Sequence, residues 1–176
     1  MTILEKIKNE ASKLNKNVVL PEGEDQRVVI ASAQAANEGL AKVTLLGDEK
    51  AIKEANPDVD LKKVNIVNPV TNEKTDVYAE MLYKAREGKI NKKTGLPEYA
   101  TVGDAKKSIL KDYTMYGALM LKAGDADGLV SGACHSTANT LRPGLQVIMS
   151  EAGPARKADI REPEGKSSQP VQSARF

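Results

Sequence analysis

Residues 18–47 read VVLPEGEDQRVVIASAQAANEGLAKVTLLG, and the change of rhythm within them decides the fold. Val18, Val19 and Leu20 form a short apolar run that Pro21 ends. Gly23, Glu24 and Asp25 then supply a turn and an acidic helix start, which favours the positive end of a helix dipole. The helix predicted over 25–38 buries Val28, Val29, Ala31, Ala35 and Ala36 and stops at Gly39, a residue suited to a left-handed cap. Lys42 to Leu46 reads as a second strand closed by Gly47 and Asp48. Strand, helix and strand joined by short links belong to a parallel sheet, because parallel neighbours need a crossover and the crossover helix covers a face.

Outward from this unit the same cycle continues. Upstream, Ile3, Leu4, Ile7, Ala11 and Leu14 recur at helical spacing, so 2–15 is expected to be an amphipathic helix lying against the body. Downstream come a helix over 49–55, a strand over 63–67 before Pro69, and a helix over 76–88 carrying Val77, Met81, Leu82 and Ala85. A polar insertion fills 89–95, a helix or helix pair covers 98–122, and 124–128 is a turn. Leu129 to Ala133 reads as the last strand, 135–142 as a loop, and Pro143 as the first residue of a closing helix. The fold class is α/β, with a largely parallel sheet and helices on both faces.

Beyond Met149 the composition changes. Only Met149, Ile160, Val171 and Phe176 are large apolar residues there, and Pro154, Pro163 and Pro170 interrupt any helix. Such a segment buries too little to offset its ordering entropy, so the expectation is a domain over 1–148 and a disordered tail over 149–176.

The chain's 176 residues suit one domain. Lys and Arg number 26 against 24 Asp and Glu, a net charge of +2 that argues against a nucleic-acid binder. Aromatics at 3% leave little surface for base stacking. A single Cys, Cys134, and a single His, His135, exclude an intrachain disulfide and the usual Cys/His zinc sites. The longest apolar run is four residues, so neither a membrane span nor a signal peptide is expected, and the expected location is cytoplasmic.

Chemistry concentrates in DGLVSGACHSTANTLR, residues 127–142. Ser131 and Gly132 fall at the carboxyl end of a strand, where ligands gather in open α/β sheets, and Ser136, Thr137 and Arg142 follow. Hydroxyls, free backbone N–H groups and a guanidinium suit phosphate. The plainer alternative stays open: Ser136 capping a helix and Arg142 a solvated charge. Cys134 beside His135 suggests an activated thiol, but neighbours on extended chain point to opposite faces, so a small buried Cys is the expectation. Asp125 and Asp127 read as turn residues, since the other ligands of a calcium loop are missing. Lys84, Arg86, Lys89, Lys92 and Lys93 form a basic cluster open to two readings, a polyphosphate site or a solvated helix end. Neither GxxxxGK[ST] nor GxGxxG occurs.

ADGLVSGACHSTANTLRP at 126–143, with VVLPEGEDQRV at 18–28, NPVTNEKTDVYAEMLYKAREGK at 68–89 and YGALMLKAGDAD at 116–127, resembles phosphate acetyltransferases of the phosphate acetyl/butyryltransferase family. The resemblance runs from about residue 2 to 148. It implies reversible acetyl transfer between coenzyme A and inorganic phosphate, giving acetyl phosphate, with no metal and with coenzyme A as substrate rather than cofactor. It implies a fold similar to the first domain of isocitrate and isopropylmalate dehydrogenases, two domains around a cleft, and a homodimer. Arg142, Ser136 and Thr137 match family positions at the coenzyme A and phosphate site, and Arg86 matches an arginine associated with coenzyme A phosphates; Ser131 joins them on the strand-end argument. Because the resemblance stops near 148, the second domain and the main catalytic residues are expected to be absent, leaving a truncated chain inactive alone. The alternative is a non-catalytic coenzyme A or phosphate-binding module, or a half-enzyme acting with another chain.

Overall fold

The computed structural model describes residues 2–149. Apart from Met149, the tail expected over 149–176 lies outside them. In chain order the elements are α1 (Ile3–Leu14), β1 (Asn17–Leu20), α2 (Gln26–Asn37), β2 (Lys42–Leu46), α3 (Glu49–Ala55), β3 (Val64–Val67), α4 (Thr75–Ala85), α5 (Val102–Ile109), α6 (Tyr113–Ala123), β4 (Gly128–Leu129) and α7 (Thr137–Pro143), followed by a π-helical turn at Gly144–Ile148. The four strands form one sheet in the order β3-β2-β1-β4, every pair parallel.

Alternation along the strands builds two cores. Val19 and Leu46 are fully buried against α4, α5 and α6, with Val67 and Leu129 packed beside them. Val43, Leu45 and Val64 face the other way, onto Val28, Val29, Ala33 and Ala36 of α2 and Ile52 of α3. Residues one apart on a strand point to opposite faces, so the two layers of helices divide each strand's side chains between them. Each fully buried Leu or Val contributes about 1.5–3 kcal/mol. On the α4–α6 side Tyr78 and Tyr116 meet edge to face at 5.0 Å. The helix starts follow the sequence signals: Asp25, Asp48, Thr101 and Asp112 each accept a backbone N–H of the following turn.

Four expectations change. First, α1 forms, with a Thr2–Glu5 capping box, but buries nothing: Ile3, Leu4, Ile7 and Leu14 are all at least 60% exposed. Its periodicity sets the helix, and Lys8 ties it to Glu38 at the end of α2 at 2.7 Å. Second, the buried face of α2 includes Ser32 in place of Ala31, because the Ser32 hydroxyl donates to the Val29 carbonyl at 2.7 Å and so enters the core satisfied. Third, 89–95 is part of a narrow hairpin whose tip, 91–96, is closed by an antiparallel bridge between Ile90 and Pro97. Fourth, β4 ends at Leu129, not Ala133, and the last helix starts at Thr137, not Pro143. Ser136 caps that helix through its hydroxyl, and Pro143 sits at its end, where a π-helical turn takes over from a ladder that proline cannot continue.

Candidate functional site

The chain runs from β1 to β2 to β3 on one side, while β4 lies on the other side of β1. At such a reversal the connections leaving the two adjacent strands, β1 and β4, diverge, which opens a crevice beyond their carboxyl ends. Two segments fill it: Pro21–Asp25, leaving β1, and 130–136, leaving β4. Glu22 joins them. Its side chain is 1% exposed, and its Oε2 accepts from the amides of Gly132 at 2.9 Å and Ala133 at 3.0 Å. Its Oε1 accepts from the Cys134 amide at 3.0 Å and from Nδ1–H of His135 at 2.7 Å. These bonds explain why β4 is so short: after Val130, whose N–H still reaches the Val19 carbonyl, the amides turn to a carboxylate instead of a strand. Two glycines permit this path. A Cβ on Gly23 would strike the carbonyl oxygen of Leu46, and Gly132 has φ +115°, a conformation other residues rarely adopt.

Burial opposes ionisation of Glu22, but the hydrogen bonds from His135 and from the amides of residues 134, 133 and 132 outweigh it and hold the carboxyl at about 2. The bond to that carboxylate raises His135 above its ordinary value. Cys134 goes the opposite way for a thiol nucleophile: desolvation and the neighbouring Glu22 and Glu24 push it up to about 12. Its Sγ lies 3.5 Å from His135 Nδ1, so the two side chains do meet, contrary to the opposite-face expectation, because the loop folds around Glu22 rather than running extended. Cys134 is also exposed rather than buried. It is a protonated thiol donating toward Glu22 and Glu24. Arg27 braces the loop from α2, donating to the Ala133 carbonyl at 2.8 Å while it chelates Asp25. A cleft of about 280 Å³ opens beside them, lined by Leu20, Glu22, Arg27, Val28, Val130 and Ser131 among others.

Ser131, Ser136, Thr137 and Arg142 stand on the one continuous loop and helix that this anchor holds. The Ser131 hydroxyl is 3.4 Å from that of buried Thr114. Ser136 accepts from the Asn139 amide, and Thr137 opens α7 at the surface. Arg142 is exposed, and its Nη2 donates to Asn139 at 3.1 Å. Arg86 has a different setting: its Nε and Nη2 both bond Glu98 in a half-buried pair, and the second Glu98 oxygen accepts from Gln146 on the π-helical turn. Lys84, Lys89, Lys92 and Lys93 are exposed around α4's end and the hairpin. Asp125 accepts from Lys74 and the Tyr78 hydroxyl, and Asp127 from Lys16 and the Asn17 amide, so both tie the turn before β4 to its neighbours.

Residues 2–160 match the family of phosphate acetyl/butaryl transferases. The chain belongs to this family. Among relatives of the phosphate acetyl/butaryl transferases it is 40% identical over 153 residues to the phosphate acetyltransferase of Acetivibrio thermocellus, a match covering 87% of this chain and 43% of that protein. It is 39% identical over 153 residues to that of Thermoanaerobacterium thermosaccharolyticum, covering 87% and 44%. The chain thus spans less than half the length of these relatives. Two solved structures share the fold at 34% identity. The EutD phosphotransacetylase from Staphylococcus aureus superposes with a TM-score of 0.69 over 82% of this chain and 41% of that one. A phosphotransacetylase from Streptococcus pyogenes gives 0.71 over 84% and 43%.

Glu22 and Arg27 escaped the sequence reading, which treated PEGED as a turn and an acidic helix start. The available signal was positional: a glutamate two residues beyond the end of β1, at the switch point of a parallel sheet, lies at the crevice on its carboxyl edge.

Proposed function

We propose that this chain carries a coenzyme A and phosphate site of an enzyme that transfers an acetyl group between the two, acetyl-CoA and phosphate giving acetyl phosphate and free coenzyme A. The observation that carries this reading is the family match across residues 2–160, coinciding with a segment of hydroxyls and a guanidinium held at the carboxyl edge of the sheet. Ser136 accepts a hydrogen bond in capping α7, which leaves its proton for a ligand oxygen. Arg142 offers the fork geometry that binds phosphate through two parallel bonds, and Ser131 and Thr137 add hydroxyl donors. Fixed donors of this kind also favour the negative charge that builds as phosphate attacks the thioester carbonyl. Arg86 serves coenzyme A's phosphates only if Glu98 yields its place, so its share is the smaller.

In this reading coenzyme A is a substrate, the reaction uses no resident metal, the working state is a homodimer, and the location is the cytoplasm. Among the described residues no helix is long and apolar enough to cross a membrane. Turnover demands more than anion binding. Thiol and phosphate must be placed in line, which accounts for about 7–11 kcal/mol of a barrier, and a base must reach the reacting proton. The ionisable groups beside the loop are occupied in holding it, so the chain alone should bind coenzyme A yet form no acetyl phosphate above a buffer control. Equilibrium dialysis at rising salt tests the binding: affinity that falls with salt is expected, and no binding at low salt contradicts the proposal.

A further inference from the structure

Among the described residues Glu22 is the one charged side chain buried with the core. A carboxylate so placed is tolerated when every lone pair is engaged, and here each donor comes from the stretch after β4 rather than from β1 itself. Its charge therefore serves the shape of 132–135 rather than the strand that precedes it. That stretch lies between Ser131 and Ser136. Three of the five bonds come from backbone amides, which are always present, and a fourth, longer one comes from the Cys134 thiol at 3.4 Å. The fifth comes from an imidazole that strengthens its bond when charged.

Resting on the coenzyme A and phosphate reading above, we propose that Glu22 is a positioning residue for ligand binding, fixing the 132–135 backbone so that Ser131 and Ser136 face the anion, with protonated His135 completing the clamp. The groups facing His135 are Glu22 after β1, Glu24 in the loop into α2, Asp112 at the start of α6 and Cys134 on its own loop; Arg27 of α2 meets the same loop at Ala133. The acids outnumber the single cation, so deprotonation of His135 leaves a crowded negative edge beside the place where phosphate would bind. The sign follows: the clamp is complete while His135 is charged, and it loosens as pH rises through a value above the ordinary histidine range.

The test uses the 176-residue chain, its Glu22→Gln and His135→Asn variants, coenzyme A as the probe, calorimetry at pH 6 and pH 8.5, and hydrogen exchange at the amides of 132–134. Glu22→Gln turns an amide N–H₂ toward backbone N–H groups, so those amides should lose protection while β1, β2 and β3 keep theirs, and coenzyme A should bind about tenfold more weakly at pH 6. The wild type should lose affinity between pH 6 and 8.5 relative to His135→Asn, a comparison that removes the ligand's own titration. Should Glu22→Gln fail to fold, His135→Asn, altered at the surface, carries the test by itself. Equal affinities and equal pH slopes in all three proteins would overturn the positioning role alone. No coenzyme A binding by the wild type at either pH would overturn the proposed function and this inference with it.

Discussion

The two strands that flank β1 satisfy their neighbours by different means. On one side β2 pairs with β1 over four positions, from Asn17–Lys42 to Leu20–Leu45, and then passes into α3 under the Asp48 cap. On the other side β4 pairs over only two, Val18–Gly128 and Val19–Leu129, and one glutamate accepts the amides that a longer strand would have presented to β1. Both solutions satisfy backbone donors. The first depends on apolar packing and tolerates acid; the second depends on a single ionised side chain, so it answers to pH and to one substitution. A region built this way is free to adopt the shape a ligand needs, because its path is set by a side chain rather than by a ladder.

The largest effect should come from the conventional side. Leu46 is fully buried, and Leu46→Ala should cost about 2–5 kcal/mol in urea unfolding with no local signature. Glu22→Gln should come next. Holding the carboxyl at about 2 against a reference of 4.5 amounts to about 3 kcal/mol at neutral pH, present above pH 4.5 and lost as pH falls toward 2. Acid titration of stability should therefore be steep in that window for the wild type and flatter for Glu22→Gln; parallel curves would mean that the carboxylate does not hold the loop.

Cap substitutions sharpen the comparison at smaller scale. Ser136→Ala and Asp48→Ala each remove one side-chain bond to a helix amide and should each cost about 1 kcal/mol. Hydrogen exchange should show the loss at α7 confined to 136–142, and that at α3 shared with the β2 side. Smallest of all, Ile3→Ala on exposed α1 should change stability by less than about 0.5 kcal/mol. A larger loss would mean that α1 docks on something, such as a second copy of the chain.

The parts legible in the sequence are those governed by local rules. Periodicity and caps place α2, β2 and α3 within a residue or two of their limits, and strand–helix alternation gives a parallel sheet. The end of β4 was not legible, because LVSGA looks as strand-like as KVTLL, and a glutamate more than a hundred residues earlier in the chain diverts it. For the same reason Cys134 and His135 read as neighbours on opposite faces, although a long-range contact turns both toward Glu22. Burial of α1 was misread because helical spacing reports a face and says nothing about what covers it. Motif and strand end single out Ser131, Ser136, Thr137 and Arg142, but the end of β4 before Ser131 and the helix that carries Thr137 and Arg142 needed three dimensions, as did the engagement of Arg86 by Glu98.

In the proposed site the segment held by Glu22 presents Arg142 to phosphate. Calorimetric titration of coenzyme A into the wild type and into Arg142→Ala, at low salt and pH 6, tests it most directly. Loss of one charged hydrogen-bonding group should weaken binding by about 1.5–3 kcal/mol, roughly 10- to 150-fold, with the folded stability of the variant unchanged. Equal affinity in the two proteins would remove Arg142 from the site and contradict the account.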